Sequence, residues 1–74
     1  MPEAEMTRYA VVFEDAGRNW AAYVPDLPGC VATARTLDEC KSVIAEAIRF
    51  HLDGMRADGL PVPPPVTVAE HIAA

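Results

Sequence analysis

The sequence predicts an α+β domain of order β-β-β-α-β: a three-stranded antiparallel meander, one long helix packed on the sheet, and a short fourth strand. Three observations predict it. Aromatic and β-branched residues gather in short runs ahead of residue 36, separated by turn compositions. From Thr36 the apolar spacing changes to threes and fours, the period of a helix face. The stretch Leu60-Pro61-Val62-Pro63-Pro64-Pro65 then removes four backbone donors and forbids further helix, and Val66-Thr67-Val68 alternates behind it.

The first strand is read over Met6 to Glu14 (MTRYAVVFE), closing on the turn composition DAGRN. Tyr9, Val11 and Phe13 alternate with Arg8, Ala10 and Val12, so neither face is strongly polar and cover on both sides is compatible with it. Trp20 to Val24 (WAAYV) is the second strand and Cys30 to Arg35 (CVATAR) the third, with connections short enough for antiparallel neighbours. Between them, Pro28-Gly29 suits the central pair of a type II turn, because proline sets the first φ and glycine accepts the positive second one. Pro25 cannot donate to a ladder and ends strand two, while Asp26 can bond amides beyond it in an Asx-type cap. Leu27 either folds under this loop or projects from it as an anchor.

Thr36-Leu37-Asp38-Glu39 fits a capping box and starts the helix. Leu37, Cys40, Ile44, Ala47, Ile48, His51 and Met55 draw the apolar stripe, with Asp38, Ser42, Glu46, Arg49 and Asp53 facing away. Val43, Phe50 and Gly54 project roughly 60 to 100° from the centre of that stripe, widening the apolar face into a flank suited either to a broad core or to a partner. Gly59 and Pro61 stop the helix, which is expected from about Leu37 to Asp58. Leu60 to Pro65 reads as a polyproline spacer, and its Pro61 and Pro64 make a PxxP spacing that structural connectors commonly show.

With 74 residues there is room for a single domain spanning 1–74, without a separate DNA-binding domain, and its marginal core suits a partner subunit. Eleven acids against six bases give a net charge of −5, and the arginines are scattered between acids. Direct nucleic-acid binding by this chain alone is disfavoured, whereas an acidic surface suits a basic partner. The start MPEAEMTRY lacks the basic opening of a signal peptide, and no apolar run approaches the roughly 20 residues that span a bilayer, so a cytoplasmic location is expected. Cys30 and Cys40 read as unpaired, partly buried thiols.

No catalytic constellation is legible. Cys30 has no local histidine signature, and His51 and His71 stand on the helix stripe and in the tail. Cys30, Cys40, His51 and His71 are zinc ligands by type, but no pair has the spacing that pre-forms half a site. His51 is better read at the core edge or a subunit contact, and the four isolated glycines make no phosphate loop. No cofactor is expected.

Taken together, the string Tyr23-Val24-Pro25-Asp26-Leu27-Pro28-Gly29-Cys30, the aromatic-alanine strand before it, Thr36-Leu37-Asp38-Glu39, the helix bearing Glu46-Ala47-Ile48, and Asp58-Gly59-Leu60-Pro61-Val62-Pro63-Pro64-Pro65 resemble the HicB-like antitoxin family over Tyr9 to about Val68. The resemblance implies a partial RNase H-like fold with the last strand beside the first and parallel to it. It also implies a protein that neutralises a small basic mRNA-cleaving toxin of the HicA type by binding it, as a dimer or tetramer. Many such proteins add a C-terminal ribbon-helix-helix or helix-turn-helix module; this sequence stops after the expected last strand. The likeness to RNase H does not extend to its acids, since Tyr9 to Phe13 contains none and Asp15 and Asp26 fall in different loops. On this reading the partner-binding residues are Asp26 as a charge partner, Leu27 as an anchor, Pro28 and Gly29, together with Val43 and Phe50. The alternative is a solitary oligomeric interaction or regulatory module of the same family, without a cognate toxin.

Overall fold

A computed structural model describes residues 7–74. Among these residues three strands, β1 (Val12–Asp15), β2 (Trp20–Tyr23) and β3 (Val31–Ala34), form one antiparallel sheet in the order β1-β2-β3, and a single helix, α1 (Leu37–Ala57), follows. The α+β class, the meander and the long helix are those expected. The strands are shorter than their sequence runs, for a reason that lies in the ladder. Val12 pairs with Tyr23, the last residue of β2. Beyond it the amide of Val24 already donates to Cys30 O at 3.2 Å, and Pro25 has none to offer. Tyr9, Ala10 and Val11 therefore enter no ladder among the described residues, although Tyr9 and Val11 still pack against the core. Met6, the expected start of the first strand, lies outside the described residues.

Alternation assigns the two sheet faces. Phe13, Ala22 and Ala32 stand in register across the three strands on the side facing α1, with Trp20 and Ala34 one pair further on. The alanines are buried, and their small side chains let Cys40, Ile44 and Leu52 of the helix come close. Cys40 is wholly enclosed, its thiol directed at Trp20 O at 3.7 Å. Leu52 is part of this core although it stands outside the stripe read from the sequence, and His51 and Met55, which belong to that stripe, are half-buried. The buried arc is thus turned toward Leu52 and away from Phe50. Cys30 and Cys40 are both free and buried, as unpaired thiols should be.

The helix ends obey their sequence signals. Thr36 Oγ1 accepts from the amide of Glu39 at 3.1 Å, the threonine half of the capping box. At the other end Gly59 takes φ +71°, its amide donating to Arg56 O and that of Leu60 to Met55 O. Those two bonds make a Schellman motif, which needs a left-handed residue where glycine stands.

The fourth strand expected at Val66 and Val68 is not formed: no residue from 60 to 74 enters a ladder. The segment is tethered instead. Tyr9 donates its hydroxyl proton to Pro63 O at 2.6 Å, Val62 packs against the core, and the amides of Val66 and Thr67 both point at one side chain, described below. Among the described residues, no helix is long and apolar enough to cross a membrane.

Candidate functional site

Between β2 and β3 the chain makes two successive turns that share one residue. The amide of Leu27 donates to Val24 O and that of Cys30 to Leu27 O, each at 3.0 Å, so Pro25 and Pro28 each occupy the second position of a four-residue turn. Gly29 takes φ +87° in the second turn, the type II requirement. Because Leu27 closes one turn and opens the next, its side chain is drawn inward. It is 1% exposed and packs with Val24, Cys30 and Cys40. The projecting anchor is corrected here: Leu27 folds under the loop and belongs to the core. Pro28 and Gly29 lie on the exposed rim.

Nothing lies within 4 Å of the Cβ that an alanine would add at Gly29, so the cost of substitution there is backbone strain alone. Gly29→Ala is expected to destabilise the protein by about 1 to 3 kcal/mol, read as a lower urea midpoint at unchanged slope.

Asp26 does not cap its own loop. Its Oδ2 accepts from the amides of Val66 and Thr67, each at 3.0 Å, and its Oδ1 accepts the Thr67 hydroxyl proton at 2.7 Å. The backbone and then the side-chain bond from Thr67, with that from Val66, hold its carboxyl below its ordinary value of 3.8 against the opposing effect of desolvation. Asp26 is thus a latch on the C-terminal segment, some 40 residues away. Sequence reasoning missed Thr67 and Val66 as its partners; the one available signal was a β-branched run whose amides needed acceptors. Burial pushes the Cys30 thiol up, away from the depressed pKa of a reactive cysteine.

On α1, Phe50 is 82% exposed and Val43 42%. They belong to the flank expected from the sequence, with half-buried Ala47 and exposed Gly54 between and beyond them. A second apolar row, exposed at Tyr23 and Val31 and half-buried at Val12, lies on the sheet face turned away from the helix. There Val12, Tyr23 and Val31 stand in one cross-strand row, Val31 at 64% exposure.

Among the described residues, no catalytic grouping gathers around these surfaces. A cleft of about 450 Å³ between β1, the first turns of α1 and the tail is lined by Val11, Phe13, Trp20, Leu37, Lys41 and His71 among others, and no carboxylate or thiol is part of its wall. Asp15 is the last residue of β1 and not a loop residue; its Oδ1 accepts from the amide of Gly17 at 2.9 Å. Among the described residues, no three or more His, Cys, Asp or Glu side chains are placed to hold a metal ion.

The chain matches the family model described as HicB_like antitoxin of bacterial toxin-antitoxin system over residues 9–74. It is also 33% identical, over 64 residues, to the uncharacterized 14.9 kDa protein in the rep-hol intergenic region of Haemophilus phage HP1 (strain HP1c1). That alignment takes in 86% of this chain and 48% of the relative, so the chain spans about half the length of the phage protein. The family match runs from Tyr9, whose hydroxyl tethers the proline spacer, through the double turn and the capped helix to the latched tail, and on it the chain belongs to the HicB-like antitoxins of bacterial toxin-antitoxin systems.

Proposed function

We propose that this chain is a non-enzymatic antitoxin that binds and masks a small basic mRNA-cleaving toxin of the HicA type in the cytoplasm, acting as a homodimer or tetramer. Family membership supports the antitoxin role. The observation that carries the docking reading is the exposure of Phe50 and Val43 on the helix of a chain with net charge −5. An exposed aromatic in an acidic setting matches what a basic protein surface would bury. Pro28 and Gly29 extend the docking surface at the loop rim, and Asp26 and Leu27 shape that loop, Asp26 from its contact with the tail and Leu27 from the core. With no basic run along the chain, contact with nucleic acid passes through a partner.

Co-expression with any small basic protein encoded by a neighbouring gene, followed by affinity capture and a growth-rescue assay, tests the proposal. A stoichiometric complex and restored growth are expected; absence of both would remove it. A second reading is favoured by the exposure of Tyr23 and Val31, in one cross-strand row with Val12, which a second copy could cover in a solitary oligomeric module. Light scattering separates the two, since a homo-oligomer that the basic neighbour neither binds nor dissociates supports the solitary module.

A further inference from the structure

Two lines of residues run side by side along α1. Val43, Phe50 and Ala57 recur every seven residues, and so do Glu39, Glu46 and Asp53. Seven residues are close to two helical turns, so each set forms a nearly straight row roughly 21 Å long. At 100° per residue the acidic row lies about 40 to 60° around the helix from the apolar one. All three acids are exposed. Asp53 pairs with Arg56 at 3.6 Å, and among the described residues neither Glu39 nor Glu46 is in an ion pair. The other border of the apolar row is the core itself, through Ala47 and then Cys40 and Ile44. Lys41, which lines the cleft beside β1, points about 160° away from Val43, so the apolar row faces the β3 side of the molecule.

We propose that this flank seats a cationic amphipathic helix of the protein partner, its apolar face along Val43, Ala47, Phe50 and Gly54 and its Lys or Arg side chains along Glu39, Glu46 and Asp53. The proposal rests on the docking function above and names the element that docks. A helix suits the seat because its own side chains repeat every seven residues, whereas a strand repeats about every 6.8 Å and falls out of step with rows spaced at about 10.5 Å. Gly54 and Ala47 let the facing backbone approach. A second copy of this chain fits poorly. Antiparallel packing of two such flanks brings acidic row against acidic row, and parallel packing brings each row to the sheet-side border, where the helix carries Cys40 and His51 and no Lys or Arg.

The test measures binding of the full chain to any small basic protein encoded by a neighbouring gene, and to a synthetic 21-residue peptide with Leu and Lys each on seven-residue spacing. Phe50→Ser should weaken both at least tenfold. Glu46→Lys with Asp53→Lys should weaken both further and flatten the salt dependence. Glu14→Lys on the opposite sheet face, the same charge change per site, should leave them within twofold, and circular dichroism should show the helix intact in every variant. If the basic protein binds but the flank variants bind as wild type, the seat is elsewhere and the inference fails while the antitoxin reading stands. If no basic protein binds, the antitoxin reading fails and the peptide decides: no saturable binding overturns the inference. A wild-type dimer dispersed by Phe50→Ser would assign the flank to a second copy and overturn it also.

Discussion

Truncating Leu27 to alanine is expected to destabilise the protein by about 2 to 5 kcal/mol. The residue looks like loop decoration in the sequence, but at 1% exposure it is a principal filler of the core beneath the double turn. Removing three carbons there costs their transfer energy and leaves a cavity that the two proline turns are too stiff to close. In a 74-residue chain, whose total stability is on the order of 5 to 15 kcal/mol, such a loss lowers the melting temperature by about 10 °C or more. Thermal and urea melts of Leu27→Ala and Leu27→Met measure it. Methionine, close in volume, should retain most of the stability. A Leu27→Ala variant with an unchanged melt and weakened partner binding would restore the anchor reading and refute the core role.

The second large effect is on order in the C-terminal segment. Asp26→Ala removes the acceptor of three hydrogen bonds, so the amides of Val66 and Thr67 should lose protection by roughly tenfold or more in hydrogen exchange. Helix amides such as that of Ile44 should change little. Thr67→Val removes the hydroxyl bond and keeps both amide bonds, so its effect should be intermediate. The same latch is acid-sensitive. The carboxyl of Asp26 is held below its unfolded value, so the latch is fully set above about pH 4 and is lost as pH falls through the depressed folded value, when the carboxylate takes a proton and gives up acceptors. Protection at Val66 and Thr67 should be flat from pH 5 to 8 and fall below pH 4, and in Asp26→Asn it should be low throughout. Protection that persists in Asp26→Ala would mean the segment is held by Tyr9 and Val62 alone.

Some elements were legible because their signals are local. Both helix ends follow from chemistry within four residues: a threonine whose hydroxyl caps Glu39, and a glycine that takes φ +71°. The Pro28-Gly29 turn is of the same kind, whereas the exposure of Phe50 and Val43 was not, since an apolar flank suits a broad core and a partner alike. Strand lengths were not legible, because a strand lasts only as long as its neighbour can pair. Tyr9 and Val11 have strand-forming side chains yet stand beyond the point where Pro25 ends β2. Leu52 was missed because α1 lies over β2 and β3, and that placement sets which arc of the helix is buried, whereas periodicity alone centres the arc differently.

The sequence by itself determined the class, the order of three strands and a helix, the turns and caps, and the family. Each of these depends on interactions within a few residues or on a periodicity that the chain carries wherever it goes. Only the tertiary structure decided that Leu27 turns inward, that Asp26 holds residues 66 and 67, and that Val66 and Val68 make no strand. Those outcomes join residues some 40 positions apart or depend on which atoms fill a shared interior. An amide or a leucine side chain accepts whichever partner the assembled fold brings to it, and that partner is not written beside it in the chain.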